Sequence, residues 1–134
     1  MLTKDDVESF LVRLAATGAS YTEVEPGFWI VRPSPDSDLS VAVNYSPPVL
    51  LLRVDVMSLP DDGARTAELT RRLLELNASD LLHGSYGIQN NQIVLTEALE
   101  LSALDYEEFL ASYESMTLAL ASHLRELGSY REAR

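Results

Sequence analysis

Apolar residues return every three or four positions in three stretches of the chain, a spacing that keeps them on one face of a helix. The predicted helices cover residues 4–17, 63–77 and 106–127. Thr3 and Asp105 precede the first and the third helix as capping residues, because an acidic side chain follows each of them three positions later. The chain is therefore predicted to contain three amphipathic helices, separated by two stretches with a different pattern.

Alternation of apolar and polar residues, the pattern of half-buried β-strands, fills residues 21–57 and predicts a meander of four strands. The first two strands flank Pro26-Gly27, a residue pair that favours a type II turn. This turn would place Val24 opposite Trp29. The meander and the first helix together account for almost the first half of the chain.

The fourth strand of the meander begins at Val49 and is the most apolar of the four. Its start is an almost unbroken apolar run, which is typical of a strand in the middle of a sheet. Because side chains alternate along a strand, four of them are expected on one face. These four are Leu50, Leu52, Val54 and Val56.

A β-hairpin is predicted over residues 82–101, with Asn90-Asn91 as its turn, because asparagine tolerates the positive φ that a type I′ turn requires. This turn fixes the register of the two strands. The pairs expected on the apolar face are Ile88 with Ile93, Tyr86 with Leu95, Gly84 with Glu97, and Leu82 with Leu99. Leu82 is then a core residue, and an aspartate in its place would unfold the domain.

The second helix, which Asp61 or Asp62 caps, has a wider apolar arc than one sheet contact requires. The leucines that fall together on one side are Leu69, Leu73 and Leu76. Ala67, Thr70 and Leu74 lie beyond them. Two interpretations stay open: the helix is buried on both sides within one chain, or the second arc packs against a second copy. The three residues are thus a candidate dimer surface, and we expect a homodimer.

The 134 residues are 46% hydrophobic and carry a formal net charge of −11, which fits one domain, 1–134, with a sizeable core. Nucleic acid and anionic membranes are poor partners for so acidic a chain, whereas basic or amphipathic proteins suit it. The chain has no cysteine. It shows neither a signal peptide nor an apolar run of about 18 residues. We therefore expect a cytoplasmic protein that binds neither nucleic acid nor membrane.

The sequence lacks the residue patterns that are typical of catalysis or of metal binding. His83 and His123 are not accompanied by other ligands at metal-site spacing, and we interpret both as structural or surface residues. The Gly-Ser-Tyr-Gly run at 84–87 departs from the Gly-x-Ser-x-Gly spacing of a nucleophilic serine. The sequence therefore predicts no catalytic residue, no metal ion and no cofactor.

Three aromatic side chains fall on predicted strands, namely Trp29, Tyr45 and Tyr86. Two interpretations of this set stay open. The side chains belong to the core, or they form a surface that binds a partner peptide.

The run Leu-Leu-Glu-Leu-Asn at 73–77, followed by 81–88, a polar turn and Ile-Val-Leu at 93–95, resembles the YbjN-type family. That family shares its fold with the type III secretion chaperones of the CesT (Tir chaperone) group. The resemblance extends over nearly the whole chain in element order, and over about residues 69–127 in residue detail. It implies an α+β fold in the order α-β-β-β-β-α-β-β-α, with a twisted antiparallel sheet and helices packed on one face. It also implies a non-enzymatic role, and the secretion chaperones are small acidic homodimers that hold an extended segment of an effector.

These observations give three hypotheses about function. The first is a protein-binding module, chaperone-like or regulatory. The second is a small-molecule-binding or enzymatic domain whose site the sequence does not reveal. The third is a scaffold or interaction domain without chaperone activity, which would bind folded partners rather than extended peptides.

Overall fold

Three helices pack on one face of a six-stranded antiparallel sheet in the computed structural model, which describes residues 1–131. The elements in chain order are α1 (Lys4–Ala15), β1 (Ser20–Glu25), β2 (Phe28–Arg32), β3 (Val41–Ser46), β4 (Val49–Ser58), α2 (Gly63–Ser79), β5 (Ser85–Gln89), β6 (Gln92–Glu100) and α3 (Tyr106–Gly128). This order and class confirm the predicted α+β fold.

The strands are arranged in the order β1-β2-β3-β4-β6-β5, so that β1 and β5 are the two edges. Strand β4 pairs with β3 and β6 in the middle of the sheet, as its apolar start predicts. The core lies between the sheet and the helices, where Trp29, Leu52 and Leu95 face Leu69 of α2 and Phe109 of α3. The opposite side of the sheet carries no helix within the described residues.

The predicted caps begin the helices. The hydroxyl of Thr3 accepts a hydrogen bond from Asp6 N, and Asp6 Oδ2 accepts one from Thr3 N, which completes a capping box. Asp62 Oδ1 accepts from Ala64 N and Arg65 N in the first turn of α2, and Asp105 Oδ1 accepts from Glu108 N at 2.8 Å. These bonds satisfy donors that a helix N-terminus leaves without a partner.

The predicted turn and register of the last hairpin are confirmed. Asn90 and Asn91 both have positive φ, 53° and 64°. Tyr86 pairs with Leu95 and Ile88 pairs with Ile93.

The predicted core position of Leu82 is wrong, because β5 begins only at Ser85. Gly84 has a φ of 82°, which takes the backbone out of the extended conformation before the strand starts. Its N–H donates to Glu97 Oε2 at 2.7 Å instead of continuing the ladder. Leu82 therefore lies in a loop with 88% of its surface exposed.

Two β-bulges correct the predicted alternation of the meander. Glu23, not Val24, pairs with Trp29, because the register shifts between Glu23 and Glu25 and leaves Val24 exposed in the bulge. In β4 the register shifts between Asp55 and Met57. Met57 thereby takes the next fully buried position after Val54, and Val56 is half-buried and packs against the core.

Candidate protein-binding surfaces

The aromatic residues expected on the sheet point into the core or its margin. Trp29 and Tyr86 are buried beneath the helices, which corrects the interpretation that they form an accessible partner-binding surface. Tyr45 is half-buried, and its hydroxyl donates to the backbone oxygen of Leu2 at 2.8 Å. All three side chains pack in the core between the sheet and the helices or against its margin.

Both histidines take part in internal hydrogen bonds. His123, which is buried, lies between the Tyr86 hydroxyl, 2.8 Å from Nδ1, and Asp80 Oδ2, 3.0 Å from Nε2. The Asp80 carboxylate can only accept, so Nε2–H of His123 donates to it. Burial raises the pKa of Tyr86, which keeps the hydroxyl that bonds Nδ1 protonated. His83 Nδ1 is 3.2 Å from the hydroxyl of buried Ser112. These contacts are what structural histidines make.

The side of the sheet away from the helices is the open sheet face. It presents the alternate side chains of β2, β3, β4, β5 and β6. The apolar ones that line a groove on this face are Phe28, Ile30, Ala42, Leu51 and Ala98. A broad groove of about 630 Å³ runs across them, and Leu51 at its centre is 38% exposed. An apolar groove of this size suits a polypeptide segment with apolar side chains.

A polar network crosses the same groove. Arg53 Nε donates to Asp55 Oδ1 at 2.9 Å, and Arg53 Nη1 donates to Gln89 Oε1 at 2.7 Å. This links β4 to the edge strand β5 across the intervening β6. The network holds the guanidinium at one position, where it offers donors to a bound chain without a large loss of side-chain entropy.

The aromatic residues Trp29, Tyr45 and Tyr86 do not reveal the open sheet face, because residue type alone does not indicate which face of a strand a side chain occupies. A signal was present: residues 28–31 are apolar at four successive positions, and so are residues 49–52. A strand that is apolar on both faces has two faces to bury. One lies under the helices here, and the other forms the groove.

The α2 face is the second surface and consists of Ala67, Thr70, Arg71, Leu74, Glu75 and Ala78. It lies on the side of α2 away from the buried leucines of the helix, as the helical spacing predicts. Leu74, 69% exposed, lies at its centre. A smaller groove of about 240 Å³ separates Leu74 from Ile88, a half-exposed residue of the edge strand β5. The apolar surface thus continues from α2 to the sheet edge.

The α2 face is held in place by bonds on the other side of the helix. Arg72 donates to both carboxylate oxygens of Glu126 on α3, and this hydrogen-bonded contact lowers the pKa of Glu126. At the end of α2, Asn77 bonds the backbone N and O of Tyr86, at 2.7 and 3.2 Å. The helix therefore has fixed contacts to α3 and to β5 that leave Leu74 facing outward.

No group of three or more histidine, aspartate or glutamate side chains in the described part of the chain is arranged to hold a metal ion. Among residues 1–131 no helix is both long and apolar enough to span a membrane.

The family model CesT_Tir_1 matches residues 2–133. No curated protein matches the chain in sequence. Solved structures that share its fold include the following three. The ExoU-SpcU complex of the type III secretion system of Pseudomonas aeruginosa contains a chain with a TM-score of 0.64 at 14% identity, with 89% of this chain and 94% of that chain covered. The ExsC-ExsE complex gives a TM-score of 0.61 at 17% identity, covering 95% and 97%. YbjN, a putative transcription regulator from E. coli, gives 0.59 at 16% identity, covering 94% and 96%.

Proposed function

The chain belongs to the CesT_Tir_1 family of chaperone-like, protein-binding proteins, and we propose that it holds a segment of a partner polypeptide on the open sheet face. The observation that carries this proposal is the groove across that face, where apolar side chains flank the Arg53 network. Exposed apolar side chains that adjoin one another and are bordered by polar groups are a feature of protein-binding surfaces. The net charge of −11 favours a partner with basic residues beside the apolar ones.

The partner is expected to be a segment rather than a folded domain or a small molecule. The groove lies on a sheet face that carries no helix within the described residues, and its polar lining extends from Asn44 on β3 to Gln89 on β5. Small-molecule sites enclose most of their ligand and converge polar groups on it. An apolar segment of a partner matches a long open groove better.

The protein is proposed to act as a homodimer without catalysing a reaction. Leu74 and Ile88 give the α2 face and the adjoining edge an apolar surface that a monomer would leave in water. Burial against a second copy would remove it from solvent. The non-enzymatic role is supported by the internal bonds of both histidines. The cysteine-free, acidic composition fits a cytoplasmic location.

Site-directed photo-crosslinking in the native cell tests where the partner binds. A benzophenone amino acid replaces Ala98 on the open sheet face in one variant, and Ala111, an exposed alanine of α3, in the matched control. We expect the Ala98 variant to crosslink one polypeptide, with the linkage confined to one segment of it. Crosslinks from Ala111 alone would overturn the assignment of the open sheet face.

Light scattering at micromolar concentration tests the homodimer. A mass near twice 14.8 kDa is expected, and Leu74→Glu should reduce it to that of a folded monomer. Leu118→Glu, on an exposed leucine of α3, is the control and should leave the dimer intact. A wild-type mass near 14.8 kDa would contradict the homodimer.

A further inference from the structure

We propose that the partner segment carries a lysine or an arginine whose side chain enters a cavity beside the groove of the open sheet face, where it pairs with Asp38 and Asp55. This inference rests on the proposed function and adds which side chain of the partner is selected and where it binds. It comes from the shape of the cavity, from its lining residues and from the balance of charge among them.

This side cavity has a volume of about 190 Å³ and adjoins the groove. Its lining residues are Ile30, Asp38, Ser40, Ala42, Arg53 and Asp55. Four of them also line the groove, namely Ile30, Ala42, Arg53 and Asp55. A segment that lies in the groove can therefore place one long side chain into the side cavity.

The lining of the side cavity has an apolar part and an acidic part. Ile30 on β2 and Ala42 on β3 are directly paired in the sheet and supply the apolar part. Asp38 comes from the loop between β2 and β3, and Asp55 comes from β4. Lysine and arginine side chains have the same two parts, an apolar stem and a cationic end. Their shape and charge thus match the lining.

The cation already present in the side cavity is directed toward the other side of the sheet. Arg53 Nε donates to Asp55 Oδ1 at 2.9 Å, and Arg53 Nη1 donates to Gln89 on β5 at 2.7 Å. Strand β5 lies on the opposite side of β4 from β3, so this bond holds the guanidinium away from the loop that carries Asp38.

Asp38 is the carboxylate that this arrangement leaves over. It is exposed, and in the described part of the chain its side chain makes no hydrogen bond and no ion pair. With Asp55 the side cavity has two carboxylates and one guanidinium. A cationic side chain of the partner would compensate the second carboxylate, and such complementarity gives an interface its specificity.

Other occupants fit the side cavity less well. An acidic side chain would meet two carboxylates, and an apolar one would take them out of water without a hydrogen-bond partner. A metal ion lacks ligands, because among residues 1–131 no group of three or more histidine, aspartate or glutamate side chains is arranged to hold one. The lining therefore favours the side chain of a lysine or an arginine.

Two synthetic peptides test the inference without knowledge of the native partner. Each is about nine residues long, which is roughly 30 Å when extended, and alternates leucine with serine. The central residue is arginine in one peptide and citrulline, which has nearly the same shape without the charge, in the other. Fluorescence anisotropy should show that wild type binds the arginine peptide about fivefold more tightly, the upper end for an exposed ion pair. At about 1 M salt, where charges are screened beyond about 3 Å, the preference should disappear.

A matched pair of variants locates the effect. Asp38→Asn should bind the two peptides equally. Asp36→Asn removes the same charge from the same loop at an exposed residue outside the side cavity, and it should keep the preference. Asp38→Lys should instead prefer a third peptide whose central residue is glutamate. Thermal midpoints equal to that of wild type would show that the variants are folded.

The outcomes separate this inference from the proposal it rests on. Equal affinity of wild type for the first two peptides, both weakened by Leu51→Asp, would overturn the side cavity and leave the groove standing. An equal loss of preference in Asp36→Asn and Asp38→Asn would also overturn the side cavity, because net charge would then explain the effect. A wild type that binds neither peptide would contradict both the groove and the side cavity.

Discussion

Gly84 sets where the last hairpin begins, and replacing it with alanine should destabilise the fold for two separable reasons. Its φ of 82° lies in the left-handed region, which alanine adopts at a cost of about 1 kcal/mol. A Cβ at this position would also lie 3.1 Å from the backbone oxygen of Thr96 and 3.2 Å from Met116 Cγ. Both contacts are tighter than ordinary van der Waals packing, and the backbone oxygen belongs to β6, a strand paired on both sides.

The magnitude follows from adding these effects. Strained backbone at one residue costs on the order of 1–3 kcal/mol. Overpacking against Met116 adds to this cost, although its flexible side chain absorbs part of the contact. We expect Gly84→Ala to lower the free energy of unfolding by about 2–3 kcal/mol, against roughly 5–15 kcal/mol for a typical domain.

Urea denaturation followed by far-ultraviolet circular dichroism measures this loss, and Gly87→Ala is the control. Gly87 has no positive φ, and among the described residues no atom beyond its chain neighbours lies within 4 Å of a Cβ placed there. Its alanine variant should lie within about 0.5 kcal/mol of wild type. Equal stability of the two variants would refute the claim that the backbone conformation of Gly84 sets the start of β5.

Three further predictions concern stability. The free energy of unfolding of Leu82→Asp should stay within about 0.5 kcal/mol of that of wild type in the same denaturation assay, because the side chain is in solvent. A loss above about 2 kcal/mol would show that Leu82 lies in the core. His123→Ala should cost about 2–3 kcal/mol, since it leaves the buried Tyr86 hydroxyl without its partner, and a midpoint equal to wild type would contradict that hydrogen bond. Because Arg72 holds the pKa of Glu126 below its ordinary value of 4.5, the stabilisation from this pair is present above that pH and is lost as pH falls through the lower folded value. As the pH falls from about 5 to about 2, the free energy of unfolding of the Glu126→Gln variant should therefore decrease less than that of wild type. Identical acid denaturation curves for the two proteins would contradict a stabilising ion pair.

Local chemistry explains which parts of the fold the sequence predicts. The caps at Thr3 and Asp105 and the Asn90-Asn91 turn depend on residues a few positions apart, so their structure follows from short-range rules. The bulges at Val24 and Val56 arise from how whole strands fit against their neighbours. Strict alternation does not account for the extra residue of a bulge, and it therefore placed Val24 opposite Trp29, where Glu23 lies.

The two surfaces differ in the same way. The α2 face was predicted at Ala67, Thr70 and Leu74, because the angle between residues on a helix is fixed by its geometry. The open sheet face was missed, because its side chains come from five strands that only the tertiary pairing brings together. For Trp29 the sequence left the core and a binding surface open for a related reason: residue type indicates that a side chain is large and apolar, and the sheet decides which face it occupies.

The central claim is that a partner polypeptide binds across the open sheet face. The most direct test measures how tightly the Leu51→Asp variant binds the partner segment that crosslinking identifies. Leu51 is partly exposed at the centre of the groove, so aspartate there should leave the fold intact. Bound partner would bury the new carboxylate unpaired, at a cost of about 2 kcal/mol or more, which is a loss of roughly thirtyfold in affinity by calorimetry. Leu118→Asp, at an exposed leucine of α3, should bind as wild type does. Unchanged affinity for Leu51→Asp, with a thermal midpoint equal to that of wild type, would contradict the account.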